Sequence, residues 1–186
     1  MTVNRGARQS RFERIENDFY ATNDPRAVAA LLPHLPDRCN FIEPCAGDGA
    51  LVRQLVAAGH VCMDAFDIAP QADGIRQADA LAWDAPRNPE AIIITNPPYD
   101  WRVLSAMIPL FCERAWQSWL LLEASFMHTK RAAPLMRRCR KIVSIGRLKW
   151  VVGSAHGSTK DYCWYQFGKT VVPRAWAAFY PRECSK

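Results

Sequence analysis

The chain has 186 residues, 49% of them hydrophobic, and a formal net charge of +6, which suits one domain with a substantial core and leaves little for a second. No stretch reaches the roughly 18 uncharged apolar residues of a membrane-spanning helix, and the polar start Thr2-Val3-Asn4-Arg5-Gly6 has no signal-peptide character, so a cytoplasmic protein is expected. Seven cysteines form no Cys-x-x-Cys pair; reduced, mostly buried thiols are expected rather than a disulfide or zinc framework, with no bound metal.

Residues 1–16 are polar and Arg-rich and read as a flexible basic arm ahead of a single domain over 17–186. Within the aromatic-polar stretch that follows, Asp24-Pro25 supplies an N-cap and a first-turn proline, predicting a helix to about residue 32. Residues 39–42 read as a strand. They lead into Glu43-Pro44-Cys45-Ala46-Gly47-Asp48-Gly49 and a helix over 50–58, in which Leu51, Val52, Leu55 and Val56 keep helical period and Gly59 provides the cap. Strand, glycine loop and helix are the parts of a nucleotide-binding crevice: Gly47 and Gly49 admit a ligand close to the backbone, and the helix amino terminus offers N–H donors. A third glycine and a phosphate-binding lysine are missing, which argues against a dinucleotide or a triphosphate. A second strand over 60–66 ends at Asp67, at the distance beyond the loop where βαβ nucleotide folds place the carboxylate for ribose hydroxyls; Ile68 follows, placed to pack on an adenine ring.

Residues 85–89 read as a turn before the apolar run Ala91-Ile92-Ile93-Ile94-Thr95, a buried strand that stops abruptly at Asn96-Pro97-Pro98-Tyr99. The carboxyl ends of such strands are where open α/β sheets bind ligands. Two prolines fix φ and remove two N–H groups, so the loop presents the Asn96 amide and unpaired carbonyls beside the Tyr99 ring, a set able to accept hydrogen bonds from an exocyclic amino group while stacking on its ring. A helix with Pro109 as a kink is expected over 101–115, a strand over 119–122, a basic helix over 129–138, and two strands, 142–152 and 162–167, forming a hairpin at the sheet edge. Between residues 130 and 149 lie eight basic residues, Arg137, Arg138, Arg140 and Lys149 among them, and no acidic one; this is the electrostatic footprint of a nucleic-acid partner.

The Asn-Pro-Pro-Tyr tetrapeptide resembles the catalytic motif of the amino-methyltransferases, which transfer a methyl group from S-adenosylmethionine to adenine, cytosine or glutamine nitrogen. The resemblance covers residues 17–168 and implies the class I methyltransferase fold: an α/β, Rossmann-like, mostly parallel seven-stranded sheet with helices on both faces and an antiparallel last strand, without a separate target-recognition domain. It implies Asn96, Pro97, Pro98 and Tyr99 as the catalytic loop. For the cofactor it implies Glu43 at the methionine ammonium, Cys45, Ala46, Gly47 and Gly49 in the loop, Asp67 and Ile68 at the nucleoside, Asp79 with Ala80 at the adenine amino group, and Tyr20 and Thr22 at the methionine half. Pro44-Cys45 matches the nucleophile dipeptide of cytosine carbon-5 methyltransferases, but it lies in the glycine loop and not after the later strand, so Cys45 is read as a small loop residue. A second aromatic is needed to hold an extruded base opposite Tyr99; Trp150 is the first candidate and Trp164 the second.

The function expected is methylation of the adenine N6 amino group in DNA, on a flipped-out base. An RNA adenine methyltransferase, a protein-glutamine methyltransferase and an inactive nucleic-acid-binding module are the alternatives.

Overall fold

The computed structural model describes residues 20–84, 88–150, 157–171 and 178–181. Strand β4 (Asn88–Thr95) is central because Ala91 through Thr95 are all buried, and a strand apolar on both faces suits a parallel sheet covered by helices on each side. The chain first forms α1 (Pro25–Leu31), β1 (Asn40–Glu43), α2 (Ala50–Ala57), β2 (Val61–Asp67) and β3 (Arg76–Gln77). After β4 come α3 (Trp101–Arg114), β5 (Ala115–Glu123), α4 (Ala133–Met136), β6 (Cys139–Gly146), β7 (Tyr162–Gly168) and β8 (Ala178–Tyr180). The eight described strands stand in the order β3-β2-β1-β4-β5-β7-β6-β8. The pairings are parallel except those of β7, which is antiparallel to β5 and β6.

Alternation along the strands divides the core in two. Ile92, Ile94, Trp119, Leu121 and Trp164 face α1 and α2, packing on Val28, Leu31, Leu51 and Leu55. Ile93, Leu120, Leu122 and Tyr165 face the other way, onto Met107, Ile108 and Phe111 of α3. Each such side chain, fully buried, contributes about 1.5–3 kcal/mol. Strand β1 pairs with β2 on one side and β4 on the other. The chain thus leaves β1 toward one edge of the sheet and β4 toward the other, and this divergence opens a crevice at the carboxyl ends of the two strands.

Three expectations are corrected. The basic helix over 129–138 is replaced by a 3-10 turn at Lys130–Ala132 and the four-residue α4; Pro134, which inside a longer helix would cost a backbone hydrogen bond, stands in the first turn of α4, where its missing N–H costs nothing. The late hairpin does not close the sheet edge. Six of the seven β7 residues are buried, so the strand inserts between β5 and β6, and β8, absent from the sequence expectation, takes the edge with all three residues exposed. Residues 151 and 152, expected to extend β6, lie outside the described residues, as do the basic arm and most of the turn at 85–89; Asn88 already belongs to β4. Trp164 is fully buried and donates its indole N–H to the Ala27 carbonyl at 2.7 Å; it is a core residue and cannot stack on a substrate base.

Candidate active site

A cleft of about 1180 Å³ runs along the carboxyl ends of β1, β2, β4 and β5. Its volume exceeds the roughly 300–1,000 Å³ of a site for one small ligand, so it has room for two reactants. Glu43, the last residue of β1, is 1% exposed. Burial, and then Asp67 and Asp48, push its carboxyl well above the ordinary range, opposed by a hydrogen bond from the Asn96 backbone. Its Oε2 has no hydrogen-bond partner among the described residues. An orphaned carboxylate oxygen in a carboxylate-rich wall is a site for a cation.

The glycine loop follows. Gly47 has φ of 54° and Gly49 of 75°, a left-handed backbone that disfavours any side chain. A Cβ on Gly49 would also approach the Ile75 side chain at 3.3 Å. Gly49 does not line the cleft, so its part is to turn the chain into α2, whereas Cys45, Ala46 and Gly47 do line it. The Gly47 N–H is not a free donor: it bonds Asp67 Oδ2 at 2.9 Å, while Asp67 Oδ1 accepts from Ala69 N–H at 2.8 Å. Asp67 therefore ties the loop to the end of β2, with each oxygen keeping a lone pair for a ligand. Likewise, Asp48 Oδ1 takes the first N–H of α2 at 2.9 Å. Ile68 is 61% exposed and Leu81 40% exposed, and both line the cleft beside Asp79 and Ala80. Asp79 accepts from Leu81 N–H at 2.8 Å and caps a short 3-10 turn. Burial, above all, pushes the Cys45 thiol far up, which keeps it protonated and withholds a nucleophilic thiolate.

On the facing side, Asn96 leaves β4 with its amide held at both ends. Nδ2 donates to the Tyr20 carbonyl at 2.9 Å, and Oδ1 accepts from the Tyr99 hydroxyl at 2.9 Å. The Tyr20 carbonyl accepts only, so it orients the amide with its oxygen toward the Tyr99 side, where one lone pair remains. The Tyr99 ring lies 6.1 Å from the Tyr162 ring at 30°, Tyr162 meets Trp150 edge-on at 4.9 Å, and Trp150 lies 6.0 Å from Tyr20. All four line the cleft. Trp150 is thus at the site, packed on Tyr162 and Tyr20 rather than paired with Tyr99. Thr22 is buried beside them, its carbonyl accepting from the Gln54 side chain at 2.6 Å. Buried Asp24 fastens this corner: it accepts from Lys149 N–H at 2.9 Å and pairs with Arg26, which donates to the Arg147 carbonyl at 2.8 Å.

The arginines singled out from the sequence are not at the cleft. Cys139, at the start of β6, sits opposite Phe167, whereas Gly146 at its end sits opposite Tyr162. At about 3.3 Å per residue this puts Arg140 roughly 20 Å from the cleft end of β6, with Arg137 and Arg138 beyond the far end of the strand. There Arg138 donates to the Lys169 carbonyl and lies 3.6 Å from Glu113, and Arg140 donates to the Thr170 carbonyl. Lys149 is exposed next to Trp150. The sequence reading missed Trp101, Glu123, Ser125, Arg131, Lys160 and Tyr162, all of which line the cleft. Trp101 could have been found from its place two residues after Tyr99, and Arg131 lies in the basic run at 130–149; nothing local marks the others.

No protein-family model matches this sequence, and no curated protein is similar to it in sequence. Solved structures are similar in fold. A Listeria monocytogenes protein provisionally described as a class I S-adenosylmethionine-dependent methyltransferase is 12% identical, with a TM-score of 0.56 over 87% of this chain and 65% of its own length. The 23S rRNA methyltransferase ErmE is 13% identical with a TM-score of 0.52, over 78% of this chain and 67% of that one. A TehB-like S-adenosylmethionine-dependent methyltransferase from Corynebacterium glutamicum is 13% identical with a TM-score of 0.51, over 83% and 90%. The fold of this chain is that of the class I methyltransferases, with an eighth strand at the sheet edge.

Proposed function

We propose that the protein transfers a methyl group from S-adenosylmethionine to the exocyclic N6 nitrogen of adenine in DNA. The observation that carries this reading is the end of β4, where an amide oxygen held in one orientation faces the cleft shared with Glu43 and the glycine loop. S-adenosylmethionine, when bound, supplies an electrophilic sulfonium methyl. The residues present fit it. Glu43 would take the methionine ammonium on Oε2, which has no partner among the described residues, with Thr22 and Tyr20 closing that end. Asp67 would receive the ribose hydroxyls, Ile68 would cover the adenine ring, and Asp79 would accept from its amino group.

The N6 lone pair of adenine is conjugated into the ring and is a weak nucleophile. Hydrogen bonds from the NH2 group to Asn96 Oδ1 and the Pro97 carbonyl would draw the nitrogen toward a tetrahedral shape and stabilise its developing positive charge. No strong base is needed, since the proton can leave to water after transfer. Orientation and a matched polar site are worth several kcal/mol each. The Tyr99 ring offers a stacking face, and Trp150 with Tyr162 forms the aromatic wall beyond it. Extrusion of the base from a duplex costs a few kcal/mol, to be offset by stacking worth roughly 1–3 kcal/mol per base.

The test is to incubate the purified protein with methyl-labelled cofactor and separate DNA, RNA and protein pools, then identify the labelled nucleoside or residue by mass spectrometry. N6-methyladenine from DNA is the expected product. Label confined to RNA or to glutamine would replace the substrate, and failure to bind the cofactor by calorimetry would leave only a binding module.

A further inference from the structure

We infer that Arg131, seated on Trp101 at the acceptor end of the cleft, is the point that holds a phosphodiester of the nucleic-acid strand beside the extruded base. This rests on the reading of the cleft as a nucleic-acid methylation site. The Arg131 guanidinium carbon lies 4.7 Å from the centroid of the Trp101 ring, and both residues line the cleft. Trp101 is two residues past Tyr99, a span of at most about 7 Å along the chain, within the reach of one nucleotide.

Among the described arginines without a carboxylate partner, Arg131 is the one that lines the cleft, and two observations bear on its role. Arg26, Arg53, Arg76, Arg102 and Arg138 each lie within 4 Å of a carboxylate, whereas Arg131 has no acidic partner among the described residues. It is also placed rather than loose. Residues Ala124–His128 and Lys130–Ala132 form successive 3-10 turns, anchored by buried Phe126 and Ala132. The Thr129 hydroxyl donates to the Phe126 carbonyl at 2.9 Å, and Ala132 N–H donates to the Thr129 carbonyl at 3.0 Å. A guanidinium held over an indole face can still turn N–H groups toward an anion and loses less side-chain freedom on binding than a loose one, as a phosphodiester contact requires. Exposed Lys130 on the same turn adds charge of the same sign.

The test measures binding of an adenine-containing single-stranded DNA oligonucleotide, and of its RNA counterpart, by fluorescence anisotropy across a salt series. Arg131→Ala is expected to bind about tenfold more weakly, with the slope of log affinity against log salt reduced by about 0.7. Arg131→Lys should recover the slope but not the full affinity. Cofactor affinity and thermal midpoint should not change, because Arg131 is exposed. Wild-type affinity and slope in Arg131→Ala would overturn the inference, as would a loss of affinity that keeps the slope and lowers the midpoint. If adenine in DNA is methylated and Arg131→Ala leaves both KM and slope unchanged, the inference falls and the reaction stands. If no adenine is methylated but binding still depends on Arg131, the phosphodiester site stands and the reaction assignment falls. Dependence seen with RNA alone supports the site and moves it to an RNA strand.

Discussion

Glu43→Gln separates what the buried carboxyl costs the empty protein from what it contributes to the cofactor. Glu43 is 1% exposed, carries one oxygen without a partner among the described residues and feels the charges of Asp67 and Asp48. Its folded pKa lies above the ordinary 4.5, so below that pH both the folded and the unfolded chain hold the proton and the group adds no penalty. As pH rises, the unfolded chain ionises first and stability falls, until the folded-state carboxyl ionises too. The glutamine removes this dependence: its oxygen can keep the Asn96 N–H, and its NH2 points into the negative potential of the neighbouring carboxylates. A buried, unsatisfied acceptor costs about 1–3 kcal/mol. The variant should therefore exceed the wild type by that much near pH 8, raising the thermal midpoint by roughly 2–4 °C per kcal/mol for a chain of this size, and the two should converge near pH 4. The same change removes the ammonium partner, so S-adenosylmethionine should bind roughly 10–150-fold more weakly. Thermal unfolding across pH and calorimetry with the cofactor check both halves. A variant less stable than the wild type at pH 8, or a stability difference independent of pH, would show that the carboxylate is already compensated in the empty protein. Undiminished cofactor affinity would remove Glu43 from the ammonium site.

Asn96→Ala should abolish methyl transfer while leaving cofactor affinity within about twofold, since its amide is held by Tyr20 and Tyr99 on the acceptor side; single-turnover assays with parallel calorimetry separate the two. Asp67→Ala should weaken cofactor binding by about 1–3 kcal/mol, and hydrogen exchange at the Gly47 and Ala69 amides should accelerate as their acceptors disappear; unchanged affinity would leave Asp67 with the loop-bracing role alone. Burial raises the Asp24 pKa, but hydrogen bonds from Arg26 and Lys149 outweigh it and hold the carboxyl below 3.8. Its stabilisation is therefore present above that pH and lost as pH falls through the lowered value. Asp24→Asn should cost roughly 1–2 kcal/mol at pH 7, shrinking toward zero in acid, and should speed exchange at the Lys149 amide; a pH-independent loss would point to packing instead.

The parts of the molecule legible in the sequence are those whose physics is local. The run from Ala91 to Thr95 announces a strand covered on both faces, the two prolines end it, and Gly47 and Gly49 mark where the backbone must turn left-handed before α2. These constraints act within a few residues, so fold class and the two loops that face each other across the cleft could be read before any contact was known. Tertiary structure alone decided the rest. Tyr162 to Phe167 is apolar on both faces, which demands cover but does not say from where; pairing with β5 and β6 across dozens of residues made it an internal strand and left the edge to β8. A run of arginines has the same charge wherever it lies, and only the register of β6 sends Arg137, Arg138 and Arg140 to the far edge while Arg131 stays at the cleft. The amide of Asn96 takes its orientation from a carbonyl 76 residues away, and Trp164 is taken from the list of stacking residues by the Ala27 carbonyl 137 residues away. Contacts at such separations depend on which surfaces meet once the helices pack on the sheet, and a linear pattern carries no record of them.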